Sequence, residues 1–93
     1  MVNQIMAFLR RTPGCTAEKR HGTPYGKVGQ PDITGCLMGH RFEIEVKVGR
    51  NKPTEMQSMR LNEWREAGAS VCVVWSLDEA KEFIRKVERR AAG

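Results

Sequence analysis

The sequence predicts an α/β fold, a mixed four-stranded sheet flanked by helices in the order helix, three strands, helix, strand, helix. Three observations predict it. From Arg41 to Val48 (RFEIEVKV) apolar and polar residues alternate, the period-2 pattern of a half-buried strand. Ser70 to Trp75 (SVCVVW) is a mostly apolar run that reads as a strand covered on both faces. Between them lies a helical stretch, the crossover that a parallel neighbour requires. With 93 residues and 40% apolar content the chain has material for one core, so residues 1–93 are expected to form one domain.

In chain order, Ile5, Phe8 and Leu9 make an apolar stripe on a helix over 2–11, stopped by Thr12-Pro13-Gly14. Cys15 to His21 reads as a short charged edge strand. The following HGTPYGKVGQP carries three glycines and two prolines, a long loop of the kind that often bears function. Asp32–Leu37 and Arg41–Val48 read as two strands joined around Met38-Gly39-His40. Pro53 suits the start of a helix from about Thr54 to Ala67, with Gly68 as its C-terminal cap. Ser76-Leu77-Asp78-Glu79 has the form of a capping box and opens a last helix to about Arg90.

The formal net charge is +5 and the pI about 9.5, a balance that suits a polyanion, of which nucleic acid is the commonest. No apolar run approaches the roughly 18 residues that span a bilayer. The N-terminal MVNQIMAFLRR lacks a signal-peptide pattern, so a cytoplasmic location and no membrane partner are expected. Cys15, Cys36 and Cys72 form no Cys-x-x-Cys and read as reduced thiols. A zinc site from Cys15, His21, Cys36 and His40 has tolerable spacing only in its Cys36-His40 half.

Along the third strand, Phe42, Ile44, Val46 and Val48 share the apolar face, while Glu43, Glu45 and Lys47 share the other. If Met38-Gly39 form a two-residue turn, paired residue numbers sum to 77 and Asp32 lies opposite Glu45. If Gly39-His40 form the turn, the sum is 79 and Asp32 faces Lys47 with Glu45 on the diagonal. Either register brings Asp32 and Glu45 within roughly 4.5–8 Å by Cβ. Carboxylates held that close repel, and a hard divalent cation resolves the conflict. Asp and Glu oxygens favour Mg²⁺ or Mn²⁺. Lys47 on the same face is placed to stabilise charge developing on a phosphate. On the next helix Gln57 shares an arc of about 40° with Leu61 and Trp64, facing the sheet. It is either a glutamine satisfied by backbone or one aimed at the carboxylates.

Pro31-Asp32 followed by Glu45-Val46-Lys47 resembles the PD-(D/E)XK nuclease superfamily. The run from Gly26 to Ile84, with Gly29 ahead of Pro31-Asp32 and Lys52, Pro53, Thr54 and Gln57 after the lysine, is similar to the virus-type replication-repair nuclease (VRR-NUC) family. The resemblance implies a restriction-endonuclease-like αβββαβ core. It also implies metal ligation by Asp32, Glu45 and the Val46 carbonyl, with Lys47 as catalytic lysine and Gln57 as auxiliary residue. Family members carry a glutamate in the first helix, where this chain has Val2, Asn3 and Gln4. Stand-alone members, typically of phage or bacteria, act by implication as homodimers on branched DNA such as four-way junctions or flaps; a phage-encoded member would work in its host's cytoplasm. Met59, off the inward arc, is a candidate interface residue.

Phosphate contacts are expected from Lys19, Arg20 and Lys27 ahead of Asp32 and from Arg50 and Lys52 after Lys47, with Tyr25 available to stack on a base. Arg85, Lys86, Arg89 and Arg90 alternate with acids and read as a solvated helix face. Two functions follow as expectations: an Mg²⁺- or Mn²⁺-dependent structure-selective endonuclease, or a non-catalytic nucleic-acid-binding domain that keeps the fold.

Overall fold

The structure, a computed structural model, describes residues 1–21 and 26–93. Its elements are α1 (Val2–Arg11), β1 (Cys15–Lys19), β2 (Ile33–Leu37), β3 (His40–Val46), α2 (Glu55–Glu66), β4 (Ser70–Val74) and α3 (Leu77–Ala92). The sheet runs β1-β2-β3-β4, antiparallel except for the parallel β3–β4 pair that α2 connects. This is the mixed four-stranded α/β architecture that the alternating and apolar runs predict.

One face of the sheet is apolar and packs on two helices. Ile33, Leu37, Phe42, Ile44 and Val74 meet Ile5, Met6 and Leu9 of α1 and Ala80, Phe83, Ile84 and Val87 of α3. Each large side chain so buried contributes about 1.5–3 kcal/mol relative to exposure. Gly35 is required there. A Cβ at that position would strike the Phe42 ring and lie 2.7 Å from the Thr16 carbonyl. The polar face of the sheet lies opposite, and Trp64 of α2 reaches over it.

The hairpin settles the register. Met38 and Gly39 both have positive φ, 49° and 87°, the signature of a two-residue I′ turn. Leu37 therefore pairs with His40, Gly35 with Phe42 and Ile33 with Ile44, so paired numbers sum to 77.

Three expectations need adjustment. Val48 is 56% exposed, because β3 ends at Val46 and the last rung, from the Lys47 amide to the Val74 carbonyl, leaves nothing beyond it to pair. β4 is a sheet edge, and only Val74 of its five residues is fully buried. The capping box belongs to α2, where Thr54 accepts from the Gln57 amide and Gln57 accepts from the Thr54 amide. At α3, Ser76 caps the Glu79 amide, but the Glu79 carboxylate accepts from the Trp75 amide and the Ser76 hydroxyl instead of the Ser76 amide. No helix among the described residues is long and apolar enough to cross a membrane.

Candidate active site

Alternation along β2 and β3 places Asp32, Thr34, Glu43, Glu45 and Lys47 on the polar face. Arg20, just past the end of β1, joins them. Two buried glutamates stand two residues apart on β3, and their surroundings differ.

Glu43 is fully buried and fully satisfied. Arg20 Nη1 donates to its Oε1 at 2.6 Å; Thr34 Oγ1 and Arg41 Nε donate to its Oε2 at 2.6 and 3.1 Å. Arg41 Nη2 also donates to Thr34 Oγ1 at 2.7 Å. Both guanidinium groups stack on the Trp64 ring, at 5.3 Å for Arg20 and 4.7 Å for Arg41. The indole N–H donates to Gln30 Oε1 at 2.8 Å. Three donors and two neighbouring guanidinium charges already occupy and neutralise this carboxylate, which makes it a poor ligand for a further cation.

Glu45 is 2% exposed and only half satisfied. Its Oε2 lies 3.3 Å from Lys47 Nζ, while Oε1 is buried with no hydrogen-bond partner. Burial raises the Glu45 pKa, the neighbouring Asp32 charge raises it further, and Lys47 opposes both. Asp32 is held in place by the Val46 amide, which donates to its Oδ2 at 2.9 Å. In a strand, the N–H and C=O of one residue point to the same edge, so the Val46 carbonyl is directed toward Asp32 as well.

This arrangement fits a hard divalent cation. It offers two carboxylates, one of them with an orphaned buried oxygen, and a backbone carbonyl, all oxygen donors. No group of three or more His, Cys, Asp or Glu side chains gathers among the described residues. An ion that keeps several waters, as Mg²⁺ does, suits so sparse a protein shell. A zinc reading is not supported, since burial pushes the Cys15 thiol up and Cys15 packs against the core while Cys36 pairs with Thr16 and Arg41 on the other face.

Asp32, Glu45, Val46 and Lys47 are thus brought together, with Lys47 17% exposed. Gln57 is placed differently: its carboxamide oxygen serves the capping box, and no described hydrogen bond links it to Asp32, Glu45 or Lys47. An open cleft of about 840 Å³ beside Asp32 is lined by Lys19, Arg20, His21 and Lys27. Arg50 and Lys52 are exposed in the segment after Lys47. Tyr25 lies outside the described residues. The first turn of α1 carries no acid. Arg41, Thr34 and Gln30 were not singled out by sequence reasoning, which read Trp64 only as a residue facing the sheet. The available signal was that Arg41 and Thr34 share the Glu43 face once the register sum is 77.

No protein-family model matches the chain. No curated protein matches it either. Solved structures do. One described as a VRR_NUC domain aligns with a TM-score of 0.72 and 27% identity over 90% of this chain and 90% of its own. A second, described as a VRR_NUC domain protein, gives 0.68 and 19% over 91% and 82%. Hjc of Archaeoglobus fulgidus, a Holliday junction resolvase from an archaeal hyperthermophile, gives 0.60 and 20% over 80% of this chain and 63% of Hjc. The second and third share the fold, and the first is identical at 27% of the aligned positions as well. That likeness runs nearly end to end in both chains: this chain has the fold of a VRR_NUC domain structure with which it shares 27% identity.

Proposed function

We infer that the chain is a nuclease that hydrolyses phosphodiester bonds in branched DNA, using Mg²⁺ or Mn²⁺, and that it works as a homodimer. The observation that carries this reading is the buried, unpartnered Oε1 of Glu45 beside Asp32. A protein that leaves a carboxylate oxygen without a donor, next to a second carboxylate, has left room for a cation. A bound divalent ion supplies Lewis acidity and a water of lowered pKa. Asp32 and Glu45 hold the ion, with the Val46 carbonyl beside them. Lys47, tethered by Glu45 Oε2, meets the negative charge that grows on the phosphate. Lys19 and Lys27 in the cleft, with Arg50 and Lys52 beyond Lys47, bind flanking phosphates.

The preference for branched DNA draws support from the likeness to a Holliday junction resolvase. Resolving a four-way junction takes two symmetric cuts, and one domain supplies one site, which favours a two-fold dimer. The competing reading, a non-catalytic DNA-binding domain, is favoured by one observation, the absence of an acid in the first turn of α1.

Labelled four-way junction, flap and plain duplex incubated with Mg²⁺, Mn²⁺ or EDTA separate the two. Metal-dependent cutting of branched substrate that Lys47→Ala loses supports the nuclease. Tight binding with no cleavage in either metal supports the binding domain.

A further inference from the structure

Continued by two residues past Ile33 and Ile44, the β2–β3 register of 77 would pair Val46 with Pro31. The Val46 amide points toward β2 and the Lys47 amide toward β4, so 46 and 31 stand at a position where two residues normally exchange both backbone bonds. Neither bond is made. Pro31 has no N–H to give the Val46 carbonyl. Its own carbonyl, the natural acceptor for the Val46 amide, accepts from Arg20 Nη1 at 2.8 Å. The Val46 amide goes to the Asp32 carboxylate instead. The same Arg20 nitrogen is anchored on the buried Glu43, and the Arg20 backbone amide donates to the Asp32 carbonyl at 2.7 Å. Gln30, one residue further back, is fixed by Trp64.

We propose that Arg20 is a positioning residue: anchored on Glu43, it draws the Pro31 carbonyl out of the β2–β3 ladder, so that the Val46 amide orients Asp32, beside a Val46 carbonyl to which Pro31 has no N–H to give. This rests on the nuclease reading for its purpose, but not for its geometry. It also removes Arg20 from the set of phosphate contacts, because its guanidinium is occupied by Glu43, Pro31 and the Trp64 ring before DNA arrives.

The test is run by NMR on the metal-free protein, so that it does not depend on cleavage. An amide donating to a carboxylate resonates downfield, and Asp32→Ala marks where the Val46 amide lies without that acceptor. Arg20→Met is expected to move the Val46 resonance most of the way to that position, with the Ile44 amide, in the intact part of the ladder, unmoved. Glu43→Gln, which weakens the anchor, is expected to move it in the same direction, and it replaces Arg20→Met if that variant does not fold. A Val46 resonance left in place overturns the proposal. DNA binding measured in EDTA across a salt series gives a second readout. An Arg20→Met slope equal to the parent's is expected, and a slope shallower by about one identifies Arg20 as a phosphate contact and overturns the positioning role. A parent protein with the downfield Val46 amide but no metal-dependent cleavage would sink the nuclease reading while leaving the role of Arg20 intact.

Discussion

Glu43 and Glu45 lie two residues apart on one face of β3, both buried, yet neutralising them is expected to change stability in opposite directions. For Glu45→Gln the metal-free protein should become more stable at neutral pH. The carboxylate keeps one buried oxygen without a donor, and an unsatisfied buried polar atom costs about 1–3 kcal/mol, more when charged. Lys47 at 3.3 Å returns part of that through Oε2. A glutamine can keep its oxygen toward Lys47 and turn its N–H toward Asp32, converting a repulsion into a hydrogen bond. A net gain of about 1–2 kcal/mol follows, or about 4–8 °C in Tm for each kcal/mol in a domain of this size. The assay is thermal unfolding in EDTA from pH 4 to pH 8. The sign follows from the raised Glu45 pKa. The folded protein holds this proton to higher pH than the unfolded chain does. Its contribution to stability is therefore full below the ordinary value of 4.5 and is lost as pH rises through the folded value. The advantage of Glu45→Gln should accordingly appear as pH rises and vanish in acid. A variant less stable than the parent at pH 7, or a difference that ignores pH, would refute this account of the site.

Glu43→Gln should instead destabilise by about 1.5–3 kcal/mol at neutral pH, since it takes the buried negative charge from Arg20 and Arg41, which are themselves partly exposed; urea denaturation reads this directly. Lys47→Ala should keep Mn²⁺ binding, measured calorimetrically, and lose cleavage. Gln57→Glu preserves the capping box, in which glutamate serves as well as glutamine. Unchanged Tm and unchanged cleavage would assign Gln57 to capping alone, and cleavage lost at constant Tm would restore its auxiliary role. Neutralising Arg50 and Lys52 together should flatten the salt dependence of DNA binding by about two in log–log slope.

Much of the fold and the central pair of acids are legible in the sequence because strand alternation and a two-residue turn are local. Once Met38 and Gly39 take positive φ, the sum of 77 and the meeting of Asp32 with Glu45 follow. Partnership across elements is not local. Alternation puts Glu43 and Glu45 on the same face and makes them equivalent. What separates them is that Arg20 arrives from just past β1 and Trp64 from α2; the helix period turns Trp64 toward the sheet, but which side chains the two meet there follows from no periodic pattern. Gln57 shows the same limit from the other side. Its place on the helix arc is right, but a cap three residues upstream takes its side chain first. The apolar run of β4 suggests cover on both faces, and it cannot reveal that no strand follows it in the sheet.

The central claim is that Asp32 and Glu45 share one divalent ion through the oxygen that the protein leaves without a donor. Anomalous diffraction from a crystal grown with Mn²⁺ tests it most directly. The account predicts a peak within coordination distance of Glu45 Oε1, an Asp32 oxygen and the Val46 carbonyl, absent from crystals of Glu45→Gln. No peak there, or one that persists in Glu45→Gln, would contradict it.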